Sequence, residues 1–323
     1  MTFCRRGMLL GGLALPFISR AASAQAAWPA RNVHITVPYS PGGGTDVFAR
    51  LLAEGLRSVT GQTMVIENRA GGNGVIGSQQ VARAEPDGLN LAVVTSTHTM
   101  NKYLMPSVPF DALKDFTAVS LLSSFPYVIA APADAPYKDI ASLIAYAKAN
   151  PGKLSFGTSD GTNSFTSNEF ARMADIQMEE VAYRGGSPLM NDIVAGNLPL
   201  GWTSILTAAS YFDNARVRFL AVTSAERSPM QPNIPTAAES GLPGYDFAGW
   251  YGMLAPAGMK PEIADAIHEA NVKASTMPQY RSRFIELGAD LRMLGPKDFA
   301  ERMQQEDRRW AEAAKAGLIK QLQ

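Results

Sequence analysis

Residues 33–59, VHITVPYSPGGGTDVFARLLAEGLRSV, constrain the fold more than any other stretch of the chain. Val33, Ile35 and Val37 alternate as the apolar face of a short strand. Pro38 and Pro41 bracket a turn in which Gly42, Gly43 and Gly44 leave the backbone bare. Thr45 then reads as the cap of a helix whose Phe48, Leu51, Leu52, Leu56 and Val59 share one stripe, and Gly61 ends it. A helix start fed by a bare glycine turn aims several backbone N–H groups, and the positive end of its dipole, at the space above the strand. That arrangement is a cradle for an anion.

Residues 1–26 read as an export signal outside the fold. Arg5 and Arg6 precede the apolar run GMLLGGLALPFI, which is too short to span a membrane, and Ala22-Ser23-Ala24 or Ala24-Gln25-Ala26 offers small residues for cleavage. The arginine pair beside a weakly hydrophobic core fits the twin-arginine route, and the general secretory route fits equally. Cys4, the single cysteine, leaves with this segment, so the exported chain has no thiol for a disulfide, a cluster or a nucleophile. Arg5, Arg6 and Arg20 leave too, with no acid among them, and the formal charge moves from zero to mildly negative. Nothing in that balance points to nucleic acid or an anionic membrane surface. The expected location is the periplasm, and the remaining length suits two lobes of ordinary domain size.

The pattern along the chain supports an α/β fold of two lobes. Strand Met64 to Glu67 leads through a second glycine turn, NRAGGNGVIG, into a helix ending near Ala84, and strand Leu91 to Thr95 runs into the hydroxyl-rich loop Thr95 to Thr99. All three strands end in loops of glycines or hydroxyls, and the carboxyl ends of such strands are where α/β sheets bind ligands. Residues 105–122 look irregular. From strand Tyr127 to Pro132 the pattern restarts, with helix Ile140 to Ala149, strand Leu154 to Gly157, a helix from about Thr162 to Met173, and strand Glu180 to Tyr183. Ser187-Pro188 then caps a helix closed by Gly196, and strands follow at Leu198 to Gly201 and Phe219 to Thr223. GWYGMLAP at 249–256 echoes FPYVIAAP at 125–132, as two strands crossing between lobes would. The expected division is 27–126 in the first lobe, 127–251 in the second and 252–323 returning to the first. Each lobe should be a mostly parallel sheet flanked by helices. In the helical tail, Phe299, Met303 and Trp310 form a packing stripe.

Several motifs resemble catalytic ones. Gly72 to Gly77 satisfies G-x-G-x-x-G, but Leu91 to Thr99 holds no acid for a ribose, so no dinucleotide is expected. Gly157 to Gly161 satisfies G-x-S-x-G around Ser159, but the only later histidine, His268, lies within a predicted helix. Ser159 reads better as a hydroxyl donor beside Thr162, Asn163 and Ser164, with a secreted serine hydrolase kept as the rival. His34, His98 and His268 have no metal-ligand spacing, so neither metal nor cofactor is expected; His34 reads as a strand-face residue and His98 as a candidate ligand contact. Arg184, at the end of a strand, is either a carboxylate partner or a solvated loop arginine, and Arg69 reads as structural, pairing with Glu67 or Asp46. Trp202 and Thr203 offer an aromatic wall and a hydroxyl, or plain core. No nucleophile and general base pair emerges. The inventory suits holding an anion without transforming it.

VPYSPGGGTD, ENRAGGNGVIG, EPDGLNL, AVTSAERSP, PTAAESGLPG and GMLAPAG, in this order, resemble the tripartite tricarboxylate transporter solute-binding family, also called Bug receptors. The resemblance implies a periplasmic binding protein of the Venus-flytrap type (type II). Its two lobes would close on a small carboxylate, as a monomer, and deliver it to membrane permease subunits. A sensing role with the same binding chemistry remains the second alternative. The implied contacts are Tyr39, Ser40, Gly43, Gly44 and the loop of Thr95, Thr97 and His98 in the first lobe. Ser159, Thr162, Asn163, Ser164, Tyr183, Arg184 and Gly185 would answer from the second. Thr45, Asp46, Trp202 and Thr203 complete the candidate set. Two departures from the family pattern, Val181-Ala182-Tyr183-Arg184-Gly185 and Gly196 to Trp202, fall on the lobe that reads the variable end of the ligand. A di- or tricarboxylate and an aromatic carboxylate both fit. Amino acids are less favoured, because Asp160 is the only acid in these loops.

Overall fold

The computed structural model describes residues 28–319, and the export signal expected at 1–26 lies outside them. Strand β1 (Val33–Val37) buries Val33, Ile35 and Val37 completely, as the alternation requires. Helix α1 (Gly44–Thr60) buries Phe48, Leu51, Leu52 and Leu56, and Gly61 ends it in the left-handed conformation with its N–H on the Arg57 carbonyl. Thr45 is not the cap. Gly43 holds that position in extended backbone, with no side chain satisfying the first turn.

β2 (Met64–Asn68), helix α2 (Val75–Ala82), β3 (Asn90–Thr95) and helix α3 (Thr97–Leu104) follow. The expected hydroxyl loop is therefore largely the first turn of α3. The segment read as irregular also hides a strand, because β4 runs unbroken from Phe116 to Pro132. Its bulges at Ala118/Ser120 and Leu121/Ser123 shift the side-chain alternation, which obscures the period in the sequence. The second unit comprises α4 (Ile140–Ala149), β5 (Ser155–Thr158), α5 (Gly161–Ala174), β6 (Glu179–Ala182), α6 (Gly186–Ala195), β7 (Gly201–Ser204), α7 (Ile205–Ala208) and β8 (Val217–Val222). β7 begins three residues later than expected, beyond Pro199, which has no N–H for a ladder. β9 (Ala248–Pro256), α8 (Pro261–Thr276), α9 (Pro278–Glu286), β10 (Asp290–Leu294) and α10 (Pro296–Lys315) complete the chain.

β4 belongs to both lobes. Its first part pairs antiparallel with β9, from Phe116↔Pro256 to Pro126↔Ala248, and β10 lines its other edge. From Tyr127 onward the same strand pairs with β7 and β8. The sheet order is β2-β1-β3-β9-β4-β7-β5-β6. Pairing is parallel among β2, β1 and β3 and among β6, β5 and β7, and antiparallel wherever β4 and β9 take part. Each lobe is thus a mixed sheet whose parallel part lies away from the crossing. Residues 248–251, expected at the end of the second lobe, pair with the first lobe's part of β4. The first lobe packs Phe48, Phe125, Tyr251 and Phe284 together, and the second packs Phe156, Phe170, Trp202 and Tyr245. The stripe of Phe299, Met303 and Trp310 is buried.

Candidate functional site

The glycine turn after β1 meets the second lobe directly. Asp46, buried in the first turn of α1, accepts hydrogen bonds from the Gly42 N–H at 2.8 Å, Arg50 Nε at 3.0 Å and Asn68 Nδ2 at 3.0 Å. These contacts hold the turn with Gly43 and Gly44 facing α6 and α7. Across the gap, Gly185 and Gly186 open α6, and Ser204 caps α7 by accepting from the Thr207 N–H. A cavity of about 20 Å³ lies between them. Tyr39, Ser40, Gly43, Gly44, Thr45, Thr95, Phe125 and Tyr251 line it from the first lobe. Ser159, Asp160, Gly185, Gly186, Ser204 and Thr207 line it from the second.

Direct hydrogen bonds hold the lobes together around this cavity. The Gly44 N–H donates to Thr207 Oγ1 at 2.7 Å, Ser40 Oγ to the Arg184 carbonyl at 2.8 Å, and Ser187 Oγ to the Pro41 carbonyl at 3.2 Å. Beside it, Thr97 Oγ1 donates to Asp160 Oδ1 at 2.9 Å and accepts from the Thr162 N–H at 3.1 Å, while Ser96 Oγ donates to Thr162 Oγ1 at 2.9 Å. The molecule is in a closed form, latched by hydroxyls and main-chain groups.

Among the described residues lining the cavity, Asp160 is the single acid, and no lysine, arginine or histidine joins it. Burial raises its carboxyl above the ordinary aspartate value of 3.8, against the lowering effect of the Asn163 N–H, Thr97 and the Thr162 N–H. A carboxyl whose folded pKa is raised contributes stability below its unfolded pKa, and that stability is lost as pH rises through the folded value. Asp160→Asn, which can still cap α5, should therefore melt higher than the parent at neutral pH. The gain should disappear below 3.8; melting curves across that range check it, and a gain independent of pH would refute the assignment of a strained charge. Burial also pushes the phenols of Tyr39, Tyr127 and Tyr251 upward, and Asp160 adds to each shift, so all three hydroxyls stay protonated.

Several predicted contacts lie elsewhere. His98 is buried between Phe110, stacked at 5.5 Å, and Phe116, edge-on at 4.6 Å, and its Nε2 donates to the Ala112 carbonyl. Burial lowers its pKa to about 4, so it is a neutral core residue and does not reach the cavity. Trp202 is fully buried against Phe156 and Phe170. Thr203 is buried outside the lining, and Tyr183 donates to Asp192 Oδ2. The Arg184 side chain is exposed, and what faces the first lobe is its carbonyl. Thr162 belongs to the latch. Asn163 braces the loop by accepting from the Ser159 N–H, and Ser164 accepts from Asn168 and Ser167. His268 pairs with Ser120 Oγ at 2.7 Å, so it is not a base for Ser159. His34 sits exposed on β1 against Glu67, and Arg69 pairs with Glu67 at 3.5 Å. Among the described residues no group of three His, Cys, Asp or Glu could hold a metal ion.

The prediction missed Phe125, Gly186, Ser204, Thr207 and Tyr251 as lining residues, and left Asp160 outside the candidate set. Ser204 and Thr207 carry a local signal, a hydroxyl three residues before another at a helix start. Phe125 and Tyr251 carry none, because strand pairing brings them to the cavity.

Two α/β lobes joined by a shared strand, with glycine-opened helices facing each other across a cleft, define a periplasmic binding protein of the Venus-flytrap class. The model of the tripartite tricarboxylate transporter family receptor, TctC, matches residues 48–318, and the chain belongs to that family. It is 34% identical over 310 residues to the UPF0065 protein in the tcbD-tcbE intergenic region of Pseudomonas sp. (strain P51), covering 94% of this chain and 92% of that one. It is 30% identical over 288 residues to protein BugT of Bordetella pertussis, covering 88% of each. Among solved structures, Rpa4515 of R. palustris with adipate superposes with a TM-score of 0.87 at 31% identity, covering 91% of this chain and 100% of that one. MatC of Rhodopseudomonas palustris with bound malate gives 0.83 at 29%, covering 89% and 100%.

Proposed function

We propose that the protein captures a small carboxylate between its lobes in the periplasm and delivers it to the permease subunits of a tripartite tricarboxylate-type transporter. The carrying observation is that two glycine-opened helix starts, Gly43-Gly44 of α1 and Gly185-Gly186 of α6, come from different lobes and line one cavity. Each start supplies main-chain N–H groups and a positive dipole end, and only closure lets both act on one anion. Membership of the receptor family supports the transport role, and the adipate and malate of the two solved relatives support the ligand class.

The lobes would turn about Pro126/Tyr127, where β4 changes partners, and about the return just before Ala248. A cavity of about 20 Å³ has room for a single water, so a carboxylate must enter an open form. It binds the first lobe there, and the second lobe's contacts then bias closure. A thermal-shift screen of the protein, freed of carried-over ligand, against aliphatic and aromatic mono-, di- and tricarboxylates tests this reading. A ligand at a hundred times its dissociation constant should add about 2.7 kcal/mol of stability. No shift with any carboxylate would sink the proposal.

Arg184→Ala should change ligand affinity by no more than about 0.5 kcal/mol, as expected of an exposed side chain outside the cavity lining. Its carbonyl, which accepts from Ser40, survives the substitution. A tenfold loss by calorimetry would return the guanidinium to the site.

A further inference from the structure

The cavity that would take the carboxylate has an anion of its own and no cation in its wall. Asp160 is the one charged residue lining it among those described. The hydrogen bonds it accepts from Thr97 at 2.9 Å, Asn163 at 2.9 Å and Tyr127 at 3.5 Å all end on Oδ1. With only the Thr162 N–H as a further donor, Oδ2 keeps the capacity to accept another hydrogen bond. Tyr39 and Tyr251 line the same space, and their phenol oxygens can accept from an ammonium group. Gly43, Gly44, Gly185 and Gly186 line the same space at two helix starts, the part suited to a carboxylate once it displaces the Thr207 hydroxyl from the Gly44 N–H.

Charge balance then selects among carboxylates. A simple monocarboxylate would sit beside Asp160 as a second negative charge in a small, partly desolvated space, where like charges repel strongly. A dicarboxylate would make the imbalance worse, because no lysine, arginine or histidine lines the wall. A ligand with an ammonium group removes it, since that group can meet Asp160 Oδ2 while the carboxylate meets the glycine N–H groups.

We infer that the ligand is an amino carboxylate, a zwitterion whose ammonium group is read by Asp160 and whose carboxylate is held by the glycine turns of the two lobes. This rests on the carboxylate-receptor reading and narrows it. It also reverses the sequence-based expectation that amino acids are disfavoured, because the single acid in the loops turns out to line the cavity.

Isothermal titration of the ligand-free protein with matched pairs tests the inference. Suitable pairs are glutamate and glutarate, 4-aminobutanoate and butanoate, and trimethylglycine and 3,3-dimethylbutanoate, its isostere without the ammonium charge. The ammonium member of at least one pair should bind tenfold or more tighter than its partner. Asp160→Asn should cut that ratio at least tenfold, about 1.4 kcal/mol. Asp160→Ser, which also retains a helix cap, repeats the measurement if the asparagine variant does not fold. Tighter binding by the amine-free member, or an unchanged ratio in the variants, would overturn the inference and leave the carboxylate reading standing. So would amine-free binding accompanied by uptake of one proton, measured in buffers of different ionisation enthalpy, because Asp160 would then be neutralised by protonation. Absence of binding by any member, together with no shift in the broader carboxylate screen, would overturn both.

Discussion

Gly44→Ala should abolish ligand capture while leaving the fold intact. Gly44 is the first residue of α1, and its backbone is not in the left-handed region, so alanine fits the helix and favours it. The added Cβ, however, would overlap Ser204 Oγ and the Tyr251 hydroxyl and stand 3.1 Å from Thr207 Oγ1. Tyr251 cannot swing aside, because its buried ring packs against Phe48 at 5.2 Å and Phe125 at 4.3 Å between centroids. One methyl group therefore occupies the cavity and wedges the lobes apart. Affinity for any carboxylate that stabilises the parent should fall at least a hundredfold, about 2.8 kcal/mol, with the melting temperature of the unliganded protein nearly unchanged. Gly43→Ala is the control. Its Cβ would meet only the Ser40 carbonyl at 3.4 Å and the Gly186 nitrogen at 3.9 Å, and binding should persist. Equal affinities in the parent and the Gly44 variant would mean that the ligand lies elsewhere.

Thr97→Val should open the unliganded protein. Thr97 is fully buried, and its single hydroxyl both donates to Asp160 and accepts from the Thr162 N–H, two groups on the opposite lobe. Valine keeps the shape and removes both bonds. Each buried group left without its partner costs about 1–3 kcal/mol in the closed form. In the open form the same groups face water and the substitution costs little. A change of about 2 kcal/mol shifts the closed-to-open ratio roughly thirtyfold by the relation of about 1.4 kcal/mol per decade. Small-angle scattering should show a larger radius of gyration than the parent's, and apparent ligand affinity should fall because the competent closed form is less accessible. An unchanged scattering profile together with unchanged affinity would show that this latch does not govern closure.

Both experiments probe residues whose legibility differed. Gly44 stood out because three consecutive glycines before an amphipathic stripe have few other uses. Thr97 was legible as a hydroxyl near a strand end, but as a ligand contact rather than as a bond between lobes. His98, one residue on, shows the limit of such reasoning. Its neighbours in sequence are hydroxyls, whereas its neighbours in space are Phe110 and Phe116, and burial among them makes it a neutral core side chain. Trp202 went the same way, its ring enclosed by Phe156 and Phe170.

The sequence by itself determined the elements whose cause is local. Apolar period made β1 and α1, left-handed glycines ended helices at Gly61 and Gly196, and the strand-to-glycine junctions marked the edge where a ligand would sit. The family motifs carried the two-lobed plan. Tertiary structure alone decided which residues face one another across the cleft. The antiparallel register of β4 with β9 brings Tyr251 to the cavity, the exchange of β4's partners at Tyr127 joins the lobes, and the approach of α5 to α3 turns Asp160 from a helix cap into the cavity's only charge among the described residues. Periodicity and capping act over a few residues, whereas these contacts join positions between 63 and 163 residues apart, and no local pattern records them.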